Sequence, residues 1–354
     1  MKKELYDQFI IELEKIEQYV NHIKLLKNFH KNLKNINIQV LNEFSSDLKK
    51  FDRKKKYFDH KSVIISLYGL LENTISNWSQ THIENISKLF DNFEELPEKI
   101  KKNHLEFSVH VIDEILKKKH SKYEKLDEKI MIKNLYQITS TPNDFILNKE
   151  AFISSSGNLK HSKIVSLLND VGIDYEQQIK KFNLNSSMSL LSVNIDTLVS
   201  YRNDIAHGNE ISDILDTSQF ITHITALREY LFNIFQIINE KEIEYESKNL
   251  YKEISVNQII NVYGKRLLDL YIENEIITVQ DSIIVLKDEL YEKKSILDIH
   301  FNTISYKNVV ISKKENICLK VDGNIKKNYR FFILKKKYES LNYSYLIYNK
   351  KLNF

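Results

Sequence analysis

The chain has 354 residues, of which 42% are hydrophobic and 28% are charged, and its net charge is +4. This balance is typical of a globular protein and excludes an intrinsically disordered chain, while the length favours two folded units over one. The mild positive charge is compatible with a nucleic-acid partner, but ordinary surface lysines would explain it equally well.

The cysteine count and the hydropathy of the chain indicate where it acts. Cys318 is the only cysteine, so an intrachain disulfide cannot form, which suits a reducing cytoplasm. The first residues carry charges throughout, and no segment approaches the roughly 18 apolar residues that a membrane-spanning helix needs. We therefore expect a cytoplasmic protein without a membrane partner.

Apolar residues spaced three or four apart predict a helical first part of the chain. Predicted helices cover residues 4–34, 35–56, 60–91, 105–120, 159–171 and 217–246. The helix over 60–91 is apolar around much of its circumference and is expected at the centre of a bundle. Glu72 lies within it, and a carboxylate in such surroundings must be paired, neutral or part of a site.

The second predicted helix ends in the basic run Arg53-Lys54-Lys55-Lys56. Such a run is a solvated helix face in most proteins, and in some it contacts RNA phosphates. The sequence leaves both interpretations open.

After about residue 250 the sequence changes to short β-branched and aromatic segments that are typical of strands. Asp322-Gly323 predicts a two-residue hairpin turn after the segment 317–321. The expected fold class is therefore mainly α, a helical bundle followed by a small β-rich C-terminal domain. Its expected parts are an amphipathic N-terminal helix (1–40), a helical domain (41–250) and a β-rich domain (251–354).

One segment places an arginine, an amide and an imidazole on a single predicted helix. Asn194 is a suitable N-cap for this helix and Gly208 a suitable end. Arg202 falls on the apolar stripe, where a guanidinium is unfavourable unless an anion meets it. Asn203 and His207 lie four residues apart and are neighbours on one face. The predicted buried stripe comprises Ile195, Leu198, Val199, Ile205 and Ala206.

These residue types fit cleavage of RNA without a metal. Arginine binds phosphate through paired hydrogen bonds, and histidine exchanges a proton near neutral pH, as attack of a 2′-hydroxyl on the neighbouring phosphate requires. No cysteine pair, His-Glu-x-x-His motif or glycine-rich phosphate loop occurs, so no metal site is expected. The spacing fits equally well a buried Arg202 paired with Glu72 and a purely structural His207.

The segment Tyr201-Arg202-Asn203-Asp204-Ile205-Ala206-His207-Gly208 resembles the arginine-x4-6-histidine motif of the HEPN superfamily. More narrowly, its Ile-Ala-His-Gly ending resembles the MAE_28990/MAE_18760-like HEPN group. The apolar run 62–73, which contains Glu72, is similar to the earlier helix of that group. The likeness covers roughly residues 40–246 and leaves the first helix and the β-rich end without a counterpart.

The resemblance implies a metal-independent endoribonuclease with no cofactor, in which two motif helices meet across a homodimer to form a composite active site. By that resemblance Arg202 would bind the scissile phosphate, His207 would be the general acid or base, and Asn203 would orient it. Glu72 would hold Arg202 or His207 in place, and Tyr201 and Asp204 are further candidate substrate-binding residues.

The expected substrate is RNA, with transfer RNA as one candidate, and the expected role is that of a toxin or an anti-phage effector. An antitoxin or an activating protein is a further candidate partner. The alternative from another functional class is a non-catalytic HEPN scaffold or regulatory subunit that binds RNA or a protein.

Overall fold

The computed structural model describes residues 3–33, 39–117, 123, 126–153, 158–209 and 213–335. The chain forms two compact units, Met1–Glu242 and Ile243–Phe354. The first unit is helical and the second is a β-sheet on which the end of the last helix packs. The boundary between the two units, at Glu242 and Ile243, falls within this last helix.

The described part of the chain contains nine α-helices, none of which is long and apolar enough to cross a membrane. They are α1 (Lys3–Leu33), α2 (Gln39–Ser87), α3 (Glu98–Leu116), α4 (Glu128–Ser140), α5 (Lys149–Phe152), α6 (His161–Asp170), α7 (Tyr175–Lys181), α8 (Asn185–His207) and α9 (Thr217–Asn249).

The predicted helices over 35–56 and 60–91 are one continuous helix, α2, of 49 residues. The sequence predicts that the second helix ends in the basic run at residues 53–56, but no proline or glycine lies there to break it. Lys55 Nζ and Asp59 Oδ2 form an ion pair at 2.5 Å along this stretch, one helical turn apart. The Tyr19 hydroxyl of α1 donates to the other oxygen of Asp59 at 2.8 Å, so α1 supports the same stretch.

The core of the helical unit is centred on Trp78 of α2. Its ring centroid lies 6.1 Å from that of Phe9 in α1 and 5.5 Å from that of Phe235 in α9. Arg228 of α9 and Glu17 of α1 add an ion pair of 2.6 Å between the outer helices. The expectation that the apolar helix over 60–91 is central is confirmed, and α1 is a packed member of the bundle.

Helix α3 begins at Glu98, directly after Pro97, rather than at the predicted residue 105. Proline lacks a backbone N–H, but the start of a helix needs none, so Pro97 is the N-cap and its carbonyl accepts from the Lys101 backbone at 3.1 Å. His104 is fully buried on α3, where its Nε2 accepts a hydrogen bond from the Asn148 backbone at 3.0 Å. Its Nδ1 has no partner within the described residues.

The described residues of the second unit form ten strands, all paired antiparallel. They are β1 (Tyr251–Glu253), β2 (Ile259–Tyr263), β3 (Leu267–Ile272), β4 (Glu275–Thr278), β5 (Ser282–Lys287), β6 (Leu290–Phe301), β7 (Ile304–Tyr306), β8 (Asn308–Ile311), β9 (Glu315–Val321) and β10 (Arg330–Leu334).

These strands form a curled sheet around a large apolar core, and Ile284 and Phe332 belong to a second, smaller apolar cluster. The order of the sheet is β1-β10-β5-β6-β9-β3-β2, with β7 paired to β6, and β4 and β8 form a separate ladder. Strand β6 joins the two halves of the sheet, and its register shifts between Ile296 and Asp298, where a bulge allows the bend. The predicted fold class, a helical bundle followed by a β-rich domain, is confirmed.

The predicted hairpin at Asp322-Gly323 is wrong, because β9 pairs with β3 and β6 whereas β10 pairs with β1 and β5. The two-residue hairpins are at Asp288-Glu289 and Asn302-Thr303, and all four residues have positive φ. Glycine favours such turns, but adjacent strands with matching apolar faces impose them on other residues as well.

Protonation of His104 is expected to destabilise the helical unit. Burial lowers the pKa of His104 from 6.5 to about 4, so the unfolded chain takes up a proton at a higher pH than the folded chain does. The contribution of neutral His104 to the free energy of unfolding is therefore complete above pH 6.5 and is lost as the pH falls towards 4. For this one group the loss amounts to about 2 kcal/mol at pH 5.

Chemical denaturation of the wild type at about pH 7.5 and pH 5 measures this loss. His104→Gln should show a smaller difference between the two pH values, whereas His110→Gln, at an exposed histidine of the same helix, should keep the wild-type difference. An equal pH difference in all three proteins would contradict the assignment.

Candidate functional site

The motif lies on α8, which is longer than predicted. The helix begins at Asn185, so Asn194 is not its N-cap but an interior residue whose side chain donates to the Leu190 carbonyl at 3.2 Å. Buried Met188 and Leu191 hold the earlier turns against the bundle. The helix ends after His207 as predicted.

Gly208 ends the helix in the left-handed conformation, with φ +69°, which glycine adopts without strain. The face of α8 that points to the core changes along its length. Ile195, Leu198 and Val199 are fully buried as predicted, but Ile205 is half-buried and Ala206 is exposed. The last two turns of the helix, which carry the motif, therefore lie at the surface of the bundle.

Arg202 is half-buried and its guanidinium lies over the ring of Tyr68 in α2, with Cζ 4.7 Å from the ring centroid. Tyr68 is itself buried, and its hydroxyl accepts a hydrogen bond from the Leu159 backbone at 3.3 Å. Such a cation–π contact is worth about 0.5–2 kcal/mol. The side chain that the motif predicted on the apolar stripe is thus positioned by an aromatic ring.

Asn203 connects Arg202 to the loop before α6. Its Oδ1 accepts from Arg202 at 3.1 Å, and its Nδ2 donates to Asn158 Oδ1 at 2.8 Å. Asn158 has φ +60°, a left-handed conformation that asparagine tolerates. The amide of Asn203 is therefore fixed from both sides, and its orientation in turn orients the guanidinium.

Glu72 lies one turn after Tyr68 on α2 and is half-buried. Within the described residues it forms no hydrogen bond or ion pair with Arg202 or His207, and no carboxylate forms an ion pair with Arg202. Its two partners within the described residues, Tyr68 and Asn203, are both neutral. The predicted holding role of Glu72 stays a prediction.

His207 is exposed at the last position of α8, and its side chain makes no hydrogen bond to the described part of the chain. Within the described residues it forms no hydrogen bond with Arg202 or Asn203. Asp204 is also exposed, and its carboxylate accepts from the Asn209 side chain at 3.0 Å, which helps to close the helix end.

Tyr201 packs inward instead of towards the solvent. Its ring lies 6.0 Å from that of His60 in α2 and 5.9 Å from that of His223 in α9. Burial, followed by the charges of His223 and Lys61, lowers the pKa of His60, and its Nδ1 accepts from the Leu215 backbone at 3.2 Å. Tyr201 thus connects the motif helix to two buried imidazoles that favour the neutral form.

Sequence reasoning missed four of these residues. Tyr68 was placed in the central helix as a core residue, and nothing in the sequence indicated that it lies under Arg202. Asn158, His60 and His223 were not singled out. The one local signal was the loop composition around 154–158, whose Ser, Gly and Asn residues predict a turn that can present side chains.

The arrangement can bind an anion and exchange a proton. A fixed guanidinium with neutral neighbours offers donors to a phosphate, and an exposed imidazole near it can act as acid or base. No group of three or more His, Cys, Asp or Glu side chains in the described ranges is placed to hold a metal ion.

Comparison with protein-family models gives a match to RiboL-PSP-HEPN over residues 40–240, which is more than half of the chain. The matched region contains Tyr68, Glu72, Asn158 and the whole of α8, whereas the whole of α1 and the β-rich unit lie outside it. Comparison with individual curated proteins gives no match. The superfamily inferred from the motif is confirmed, the narrower group stays a prediction, and the chain belongs to the RiboL-PSP-HEPN family of HEPN proteins.

Proposed function

We propose that the protein is a metal-independent endoribonuclease that cleaves RNA by 2′-hydroxyl attack. The observation that carries the proposal is the guanidinium of Arg202, which is held between Tyr68 and Asn203 and has no ion pair with a described carboxylate. A half-buried cation in such surroundings is most stable with an anion beside it, and the phosphodiester supplies one.

In the proposed reaction the 2′-oxygen attacks the adjacent phosphorus and the bond from phosphorus to the 5′-oxygen breaks. The products are a 2′,3′-cyclic phosphate and a 5′-hydroxyl end. One imidazole accepts the 2′-hydroxyl proton and another donates a proton to the leaving 5′-oxygen, while Arg202 binds the non-bridging oxygens. Each His207 side chain can serve in either role.

The remaining candidate residues have supporting roles in this proposal. Asn203 orients Arg202 through its Oδ1. Glu72 holds Arg202 or His207 once substrate is bound, and Tyr201 and Asp204 contribute to the substrate-binding surface. Tyr201 does so indirectly, because its ring packs on His60 and His223 and fixes the helix turn that carries Arg202.

A homodimer that pairs two α8 helices would complete the site. Exposed or partly exposed residues follow each other along α8 at alternating spacings of three and four, the spacing of helix–helix seams. Leu190 and Val193 in this row are 70% and 62% exposed. The row comprises Leu190, Val193, Thr197, Ser200, Asp204 and His207.

The hydroxyls of Thr197 and Ser200 both donate to carbonyls of their own helix, at 2.7 and 3.0 Å. They therefore need no partner from solvent and leave small, mostly apolar surfaces on the row. Pairing of two such rows would bury Leu190 and Val193 and place two His207 side chains in one interface.

We further propose that the nuclease acts in the cytoplasm as a toxin or an anti-phage effector on RNA, with transfer RNA as one candidate. An antitoxin or an activating protein would then control it. This role is supported by the family and by the motif. The test below separates a ribonuclease from a binding scaffold.

Wild-type protein should cleave single-stranded RNA or transfer RNA in EDTA and leave cyclic-phosphate ends, and His207→Ala should lower the rate by about 10²–10⁴-fold because a proton-transfer group is lost. Gel analysis of end-labelled RNA measures both. His110→Ala, at an exposed histidine of α3, is the matched control and should keep the wild-type rate.

Products with 3′-hydroxyl ends that require Mg²⁺ would refute the mechanism. RNA retained equally by wild type and His207→Ala, without cleavage by either, would favour the non-catalytic scaffold.

Leu190→Glu with Val193→Glu should dissociate the dimer and lower cleavage per chain, because like charges would face each other across the row. Sedimentation velocity and the cleavage rate at equal protein concentration measure the two effects. Ile130→Glu with Ile132→Glu introduces the same charge on α4, at residues 57% and 50% exposed, and should change neither. A monomeric variant with the full wild-type rate would rule out the composite site.

A further inference from the structure

Helices α1 and α2 form an antiparallel hairpin, since Phe9 contacts Trp78 whereas the Tyr19 hydroxyl donates to Asp59. As the residue number rises along α1, that of its neighbour on α2 falls. The last turns of α1 and the residues before Asp59 on α2 therefore lie at the same end of the hairpin.

This end of the hairpin is strongly basic. Residues 18–33 contain three lysines, two histidines and no acidic residue. Lys24 and Lys27 are exposed on α1, and Lys54 and Lys56 are exposed on α2. None of these four forms an ion pair within the described residues, whereas Lys55 is paired with Asp59. None of these four charges is thus neutralised by a direct ion pair in the described part of the chain, although Lys27 lies within electrostatic range of Asp216.

Aromatic side chains lie between these lysines. Phe51, Lys54 and Phe58 are separated by three and four residues, so they share one face of α2. Phe51 and Phe58 are 59% and 66% exposed, which is unfavourable for large apolar rings in water. Alternation of cations and exposed rings is the pattern that binds the phosphates and stacks the bases of single-stranded nucleic acids.

The basic end of the hairpin adjoins the motif helix. His60, two residues after Phe58, packs on Tyr201 and accepts from the Leu215 backbone. Hydrogen bonds from Ser218 and Gln219, together with the charge of Lys27, lower the pKa of Asp216, so Lys27 lies close to the start of α9. A strand bound along the hairpin would therefore reach the end of α8 that carries His207.

We propose that Lys24, Lys27, Lys54 and Lys56, with Phe51 and Phe58, form a binding surface for single-stranded RNA beside the cleavage site. The lysines bind the phosphates and the rings stack on bases, so the surface binds unpaired RNA without sequence preference. Its occupant is the substrate of the proposed ribonuclease, and in this respect the surface rests on that function.

The test measures RNA affinity at several salt concentrations, by fluorescence anisotropy of a labelled 20-nucleotide single strand, with His207→Ala protein to prevent cleavage. The test variant adds Lys24→Gln, Lys27→Gln, Lys54→Gln and Lys56→Gln. The control adds Lys102→Gln, Lys129→Gln, Lys133→Gln and Lys180→Gln, which remove the same charge from exposed positions on other helices.

The slope of log affinity against log salt should become less steep by about three in the test variant, since each phosphate contact on a single strand contributes about 0.7. The control should keep the parent slope. Phe58→Leu should weaken binding by about five-fold or more without changing the slope, because a stacking ring is lost while the charge stays.

Equal slopes and affinities in the test and control variants would overturn the proposal. The proposal would also be overturned if the protein bound anionic phosphatidylserine vesicles and not RNA, and if the four lysine substitutions weakened that vesicle binding. The readout does not require cleavage, so lysine-dependent binding by a chain that never cuts RNA would refute the ribonuclease and retain the surface. Cleavage with lysine-independent binding would refute the surface alone.

Discussion

The contact between Arg202 and Tyr68 connects the motif to the packing of the helical unit. A guanidinium on an apolar helix face loses much of its hydration, and the ring of Tyr68 replaces part of it at 4.7 Å. The ring can do so only because α2 and α8 pack side by side and the Leu159 backbone holds the tyrosine hydroxyl. Three separate parts of the chain therefore fix one cation.

Because α2 is continuous, the same helix that carries Tyr68 also carries the basic stretch and the centre of the core. Across 49 residues, a length of about 70 Å, one helix carries the basic stretch around Lys54, the imidazole of His60, the ring under Arg202 and the central Trp78. A break near residue 57 would have uncoupled the basic end from the core. The ion pair of Lys55 with Asp59 and the bond from Tyr19 stabilise the helix at that point.

The sequence predicted features that depend on local pattern. The periodicity of the long helices, the end of α8 at Gly208 and the β-branched strands are properties of neighbouring residues, and the structure has them. The placement of Tyr68 under Arg202 depends instead on the relative shift of two helices far apart in the chain, which no local pattern contains. The same holds for the bond of Asn203 to Asn158, 45 residues away.

The turns between strands also show what a local sequence pattern does not predict. Asp322-Gly323 has the composition of a hairpin turn, yet the strands before and after it pair elsewhere. Asp288-Glu289 lacks glycine and still adopts φ +47° and +68°, because β5 and β6 are in register on both sides of it. Strand pairing can thus override the conformational preference of the turn residues.

The geometry of α8 explains why one chain alone is a poor nuclease in the proposed mechanism. Arg202 and His207 are five residues apart, which places them about 140° from each other around a helix of 3.6 residues per turn. Arg202 accordingly lies against Tyr68, while His207 is exposed on the row that begins at Leu190. A phosphate held by Arg202 is not faced directly by the imidazole of the same helix. The imidazole that faces that phosphate would therefore have to come from the other chain of the dimer, and the site would then contain both an acid and a base.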